Sequence, residues 1–284
     1  MLLATISKHA SHGGVLGYYQ HRAQATDCDM RFAVYVPPQA AAGPVPVLYY
    51  LAGLTCTEET FVTKACAIEH AARHGLMLVA PDTSPRIPLP GDRESWDFGI
   101  AAGFYLDATQ EPWSKHYRMY SYVVDELPSI IAANFKSADI ERSGIMGHSM
   151  GGHGALTIGL RNPEKYRSLS AFAPIAAPIQ SPWGLKAFTG YLGAYRASWS
   201  QCDATELVKA GNRFSGGILI DQGTADKFLA DQLKPELLAE ACKAGGQRLT
   251  LNMRDGYDHG YFFIQTYIGE HLAWHANRLV GGRV

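Results

Sequence analysis

The chain lacks most of the features that announce a special environment. Its five cysteines (Cys28, Cys56, Cys66, Cys202 and Cys242) are odd in number, scattered and without a C-x-x-C pair. That argues against a disulfide framework or a zinc ribbon and fits free thiols in a reducing cytoplasm. No segment reaches the roughly 18 uninterrupted apolar residues of a membrane span. The opening MLLATISKHASHGG has neither the basic region nor the apolar length of a signal peptide. An excess of one charge is missing too: 25 Lys and Arg stand against 26 Asp and Glu, a net charge of -1. This leaves no electrostatic footprint for nucleic acid or an anionic membrane surface. There is no internal repeat and no low-complexity tract.

What is present is a core-forming composition, 47% apolar and 18% charged, in 284 residues. One α/β domain over residues 1–284 is expected at that length. Segments 15–20, 31–36 and 45–51 are β-branched and aromatic runs between Gly, Asp and Pro and read as strands, the first two as an antiparallel pair at one edge. Segment 58–74 has helical spacing closed by Gly75. Further strands are expected at 76–80, 140–146, 169–173, 217–221 and 249–253, and helices at 117–134, around 227–244 and at 261–279. The alternation implies a largely parallel sheet covered by helices on both faces. Between them, 81–105 is a long Pro/Gly-rich loop of the kind that is usually functional.

The chain is organised around Gly147-His148-Ser149-Met150-Gly151, a G-x-S-x-G pattern that follows an apolar strand and opens an Ala/Leu/Ile-rich helix. In such a nucleophile elbow the serine sits on a strained strand-to-helix turn, and a β-carbon at either flank would strike neighbouring backbone. A serine hydroxyl is a poor nucleophile at neutral pH, so it needs a histidine base and an acid to orient that base. In α/β-hydrolases these follow in the order Ser, Asp/Glu, His, in loops after late strands. Asp226 follows the 217–221 strand and His259 follows the 249–253 strand. Asp221, Asp255 and Asp258 are competing acids; Asp221 is the closest rival, but as the last residue of its strand it is expected to be held by the sheet and not to reach the site. The tetrahedral oxyanion also needs donors, and the backbone N–H groups of Met150 and of Leu54, in the AGLT loop after the 45–51 strand, stand where the fold supplies them.

Other features have plainer readings. Cys56 neighbours the oxyanion loop but lacks a strained turn of its own, so it reads as a site-neighbouring thiol. The i,i+4 pairs His70/His74 and His271/His275 come without a third ligand or an H-E-x-x-H signature, so they read as packed or surface histidines and no metal is expected. His148 and His153 belong to the elbow and its helix. Trp96, Phe98, Phe104 and Tyr105 either line a substrate pocket or fill the core.

Eight ordered segments (YLAGLTCTEE, SWDFG with AGFYLDAT, YRMYSY, GHSMGGHGAL, SAFAPI, PWGLKAF, DQGTADKFL and GYDHGYFF) together resemble the S-formylglutathione hydrolase, or esterase D, family. The resemblance runs from about residue 51 to 263. It implies an α/β-hydrolase fold, and the family's Ser, Asp and His fall on Ser149, Asp226 and His259, its cysteine on Cys56. It also implies a cytoplasmic enzyme that hydrolyses S-formylglutathione in formaldehyde removal through a formyl-enzyme intermediate, without metal or organic cofactor. Its only partner would be that small-molecule substrate, with a homodimer left open. Ala101 departs from the pattern, where a glycine is expected. A general small-ester carboxylesterase or an acyltransferase of related fold would share the triad. A non-catalytic binding module would be expected to lack one of its members.

Overall fold

The structure, a computed structural model, describes residues 3–90, 92 and 95–280. One nine-stranded sheet runs through it in the order β1-β2-β3-β5-β4-β6-β7-β8-β9. The strands are β1 (Ala4–Ser11), β2 (Gly14–Ala23), β3 (Cys28–Val36), β4 (Val45–Leu51), β5 (Met77–Pro81), β6 (Ala138–His148), β7 (Ser168–Phe172), β8 (Ile218–Gly223) and β9 (Leu249–Arg254). The first three are antiparallel, β3 also runs antiparallel to β5, and every pair from β5 to β9 is parallel. The parallel strands β4, β5, β7 and β8 are buried along their whole length. That explains why they read as continuous apolar runs and not as alternating ones.

The helices are α1 (Glu58–Lys64), α2 (Ala67–His74), α3 (Met119–Ser121), α4 (Leu127–Asn134), α5 (Met150–Arg161), α6 (Pro182–Leu192), α7 (Ala204–Lys209), α8 (Pro235–Gly245) and α9 (Tyr261–Leu279). The connection from β4 to β5 runs one way along the sheet and the later ones run the other, so right-handed crossovers put their helices on opposite faces. Accordingly α2 packs with α9, while α5 packs with α7 and α7 with α8. The reversal at β4 and β6 opens a crevice between the loops leaving these two strands, the position where open α/β sheets bind ligands.

Three expectations need correction. Segment 58–74 is two helices, because Cys66 adopts a left-handed conformation (φ 55°) that breaks the run after Lys64. Strand β1 and helices α6 and α7 were not anticipated. The 217–221 strand extends to Gly223, so Asp221 lies inside β8 and not at its end.

Candidate active site

Ser149 stands at the junction of β6 and α5 with φ 57° and ψ −119°, the strained turn that the elbow pattern anticipates. Its flanking glycines are sterically enforced. A β-carbon on Gly147 would overlap the Gly151 carbonyl and lie 2.8 Å from the Leu51 oxygen, and one on Gly151 would overlap the Leu51 carbonyl and lie 2.6 Å from the Ala52 oxygen. Close passage of β4's exit under the elbow therefore requires bare backbone at both positions. The turn is further fixed from three sides: Ser149 N–H donates to the Phe172 carbonyl (3.0 Å), and the Ser149 carbonyl accepts from His153 N–H (2.9 Å) and Ile175 N–H (3.2 Å).

The loop after β4 reaches the same spot. Cys56 N–H donates to the Gly53 carbonyl (3.3 Å), closing a β-turn with Thr55 at φ 67°, the positive φ that a type II turn needs at its third residue. Gly53 is pressed so near the elbow that a β-carbon there would be 3.2 Å from Ser149 Cβ. Among the described residues, neither Leu54 N–H nor Met150 N–H donates a backbone hydrogen bond in this region. Both amides are left free for an incoming oxygen. Thr83 Oγ1 (2.7 Å) and Arg86 Nη2 (2.9 Å) hold the turn from behind by donating to the Cys56 carbonyl. Thr55 N–H donates to the Ala101 carbonyl (3.1 Å).

Asp226, in the loop after β8, accepts from His259 Nδ1 at 2.6 Å. It also accepts from Phe228 N–H (2.8 Å) and Gln222 Nε2 (3.2 Å). Burial raises the cost of its charge, but these donors, His259 first, outweigh it and hold the carboxyl below its ordinary range. The rival acids are engaged elsewhere. Asp221 is fully buried and takes Asn252 Nδ2 (2.8 Å) and Arg254 Nε (2.7 Å), Asp255 takes the Thr224 hydroxyl (3.2 Å), and Asp258 caps Gly260 N–H (2.8 Å). The His259 ring lies against the elbow, 4.6 Å from the ring of His148. Ser149 Oγ and His259 Nε2 do not hydrogen-bond to each other, a contact that in unliganded enzymes often closes only with substrate.

The structure also sorts the remaining candidates. His148 and His153 are buried, the first pushed well below the usual histidine range and the second to about 4 by desolvation, so both are neutral packing groups. His271 and His275 bond to Ser170 and Ser168 inside the core, and among the described residues no group of three ligands could hold a metal. Burial pushes the Cys56 thiol up, leaving a protonated group. Phe98, Phe104 and Tyr105 are core, whereas Trp96 is exposed and meets Trp183 edge to face at 5.4 Å. Trp183 in turn packs on Phe228 (4.7 Å), whose ring edge meets His259 (5.1 Å). This aromatic wall was missed: spacing in the sequence gives no sign that residues 183 and 228 meet.

A reversal of crossover direction, a strained serine between two obligatory glycines and a histidine backed by a buried aspartate define a serine hydrolase of the α/β-hydrolase fold. The chain matches the family model described as "Putative esterase" over residues 23–277. It is 52% identical over 275 residues to the S-formylglutathione hydrolase of Paracoccus denitrificans, covering 97% of this chain and 98% of the relative. It is 50% identical over 281 residues to that of Mus musculus, covering 98% and 99%. A solved S-formylglutathione hydrolase from Agrobacterium tumefaciens superposes with a TM-score of 0.94 at 51% identity, covering 97% of this chain and 99% of that one. The chain belongs to the S-formylglutathione hydrolase family.

Proposed function

We propose that the protein is a serine thioesterase that hydrolyses S-formylglutathione to formate and glutathione, with Ser149, His259 and Asp226 as its triad. The observation that carries this reading is the 2.6 Å Asp226–His259 hydrogen bond set beside an elbow whose neighbouring amides are free. The substrate comes from the likeness to relatives that bear that name along nearly their whole length. Asp226 fixes the tautomer with the proton on Nδ1, leaving Nε2 to take the Ser149 proton as Oγ attacks the thioester carbonyl. The oxyanion is received by the Leu54 and Met150 N–H groups. Collapse breaks the C–S bond, glutathione departs with the proton from His259, and formyl-Ser149 remains. Water, deprotonated by the same Nε2, attacks the ester, and formate leaves as Ser149 regains its proton.

The rest of the reading follows from this chemistry. Residues 1–284 form one α/β-hydrolase domain acting on a small molecule. Among the described residues no helix is long and apolar enough to cross a membrane, and the five free cysteines suit a reducing cytoplasm and formaldehyde removal there. The decisive experiment compares kcat/KM for S-formylglutathione, S-acetylglutathione, S-lactoylglutathione and p-nitrophenyl acetate in wild type and Ser149→Ala. A tight acyl pocket excludes larger acyl groups by steric clash, whereas a lost methylene contact discriminates by only about 1–3 kcal/mol. The formyl thioester should lead by a wide margin and Ser149→Ala should be inactive on all four. An aryl ester or lactoyl thioester that matches it would favour a general carboxylesterase.

A further inference from the structure

A cavity of about 720 Å³ opens behind the oxyanion turn, lined in part by Gln20, Arg31, Thr57, Glu58, Asp82 and Arg86. All of these come to the end of the sheet at which β6 delivers Ser149. Asp82 follows β5, which is parallel to β4, and its N–H bonds to the carbonyl of Arg31 (3.0 Å) on antiparallel β3, whose residue Arg31 pairs with Gln20. The cavity also lies close to the chemistry. The β-turn from Gly53 to Cys56 spans less than about 7 Å and Thr57 lies one residue further, so the cavity wall stands at most about 11 Å from the glycine touching Ser149. A three-residue peptide extends over roughly the same length.

Its charges are unevenly satisfied. Asp82 is spoken for by Arg86, which donates from Nε at 2.8 Å and Nη2 at 2.5 Å. Glu58 is only 4% exposed; its carboxylate accepts from its own N–H and feels the charge of Arg31, yet burial and the neighbouring Asp82 outweigh these and raise it above the ordinary carboxylate range. A buried carboxylate raised in this way is stabilised by a further cation that comes to it. Arg31 donates through Nε to Gln20 Oε1 (3.2 Å), lines the same cavity and makes no contact ion pair among the described residues, its charge reaching Glu58 only at longer range. A buried anion and an exposed cation without a contact ion pair on the wall of the same pocket match a zwitterionic amino-acid head.

We infer that this cavity receives the γ-glutamyl end of the glutathione moiety, its α-ammonium on the Glu58 carboxylate and its α-carboxylate on the Arg31 guanidinium. The assignment rests on the proposed thioesterase function. It gives the remote end of the substrate a grip that holds the thioester in register with Ser149.

The test is steady-state kinetics of wild type, Glu58→Gln and Arg31→Gln with S-formylglutathione and with N-acetyl-S-formylcysteinylglycine, which lacks the γ-glutamyl zwitterion. In wild type the full substrate should be preferred. In each variant KM for it should rise by roughly tenfold or more, the loss of one charge-assisted contact, and the preference over the truncated thioester should shrink to match. Equal losses on both substrates, or an unchanged preference, would overturn the assignment. Arg31 is exposed, so its variant tests the idea even where Glu58→Gln disturbs folding. Glutathione inhibition of p-nitrophenyl acetate hydrolysis separates the two readings. Wild type that cleaves the aryl ester but not S-formylglutathione sinks the thioesterase function, whereas glutathione inhibiting wild type and Arg31→Gln equally sinks the cavity assignment.

Discussion

His259 Nδ1 meets Asp226 Oδ2 at 2.6 Å, and the same carboxylate is held by the Phe228 amide and the Gln222 side chain. The acid is thus fixed before it fixes the base. Asp226→Asn keeps the shape but presents an amide that favours the wrong imidazole tautomer. It should lower kcat by about 10³–10⁴-fold with an unchanged melting temperature. Activity of the Asp226→Asn variant within tenfold of wild type would return the role to another acid.

Gly151 carries a second prediction. A methyl group there would overlap the Leu51 carbonyl, which cannot move because β4 is hydrogen-bonded on both sides. Gly151→Ala should destabilise the fold by more than about 3 kcal/mol or displace Ser149 enough to abolish turnover. Denaturant unfolding together with an activity assay decides it. Wild-type stability and kcat in the alanine variant would mean that the elbow is slacker than its geometry implies.

These two positions were legible in the sequence because each rule behind them is local or ordered along the chain. The glycines follow from the elbow turn, and Asp226 and His259 from the order in which late strands deliver the acid and base. Helix α9 was legible over its whole length for a similar reason, since 261–279 holds one helical pattern. Strand β1 was not. Its residues are exposed or half-exposed on both faces, so ATISKHAS carries no burial period and exists as a strand only through pairing with β2. Helix α7 did leave a signal in Asp203, whose side chain caps it by accepting from Glu206 N–H at 3.0 Å. The break at Cys66 left none: neither glycine nor proline marks it. Contacts such as Trp183 on Phe228 and the meeting of Arg31 with Glu58 in one cavity are tertiary and follow from no local pattern.

Ala101 is the departure from the family pattern, and the structure gives its physical sense. It sits at φ 63° and is held there by hydrogen bonds from Thr55 N–H (3.1 Å) to its carbonyl and from its own N–H to Ser84 Oγ (2.8 Å). A non-glycine residue in this region costs about 1–2 kcal/mol, while glycine gives back roughly 0.4–1 kcal/mol through unfolded-state entropy. Ala101→Gly should therefore raise stability by up to about 1.5 kcal/mol, a rise of a few degrees in melting temperature. Calorimetry showing a lower melting temperature would contradict this account of the loop.

Four of the five buried histidines, all but His21, predict how stability depends on pH. His148, His153, His271 and His275 are each lowered from the ordinary value of 6.5, desolvation being the largest cause in every case. All four are neutral in the fold but take up protons in the unfolded chain, so acid favours unfolding. Their contribution is intact above pH 6.5 and is lost as pH falls below it, the loss levelling off near 4 for His153. Each adds a slope of about 1.4 kcal/mol per pH unit within its window. His275→Gln, which removes the group between Ser168 (2.6 Å) and Ser170 (2.8 Å), should be less stable at pH 7.5 but lose stability less steeply between pH 6 and 5. Urea titrations across that range measure both. Identical slopes would show that His275 is not neutral in the fold.

The last prediction concerns Cys56, half-buried two residues from the Leu54 amide, with Thr60 and Tyr261 against its thiol. Burial, the largest influence, raises the thiol above its ordinary value of 9.0, and its hydrogen-bond partners only partly offset this. Below that value the reactive thiolate fraction grows tenfold per pH unit. Inactivation by N-ethylmaleimide should accordingly be slow at pH 7 and accelerate about tenfold for each unit up to pH 9. The adduct would crowd the oxyanion turn, so modification should abolish turnover even though the thiol takes no part in it. Cys56→Ser should hydrolyse S-formylglutathione at a rate near wild type and resist the reagent. A folded but inactive Cys56→Ser would make the cysteine a participant in the reaction, and inactivation already at its maximal rate by pH 7 would mean that an unseen cation activates the thiol.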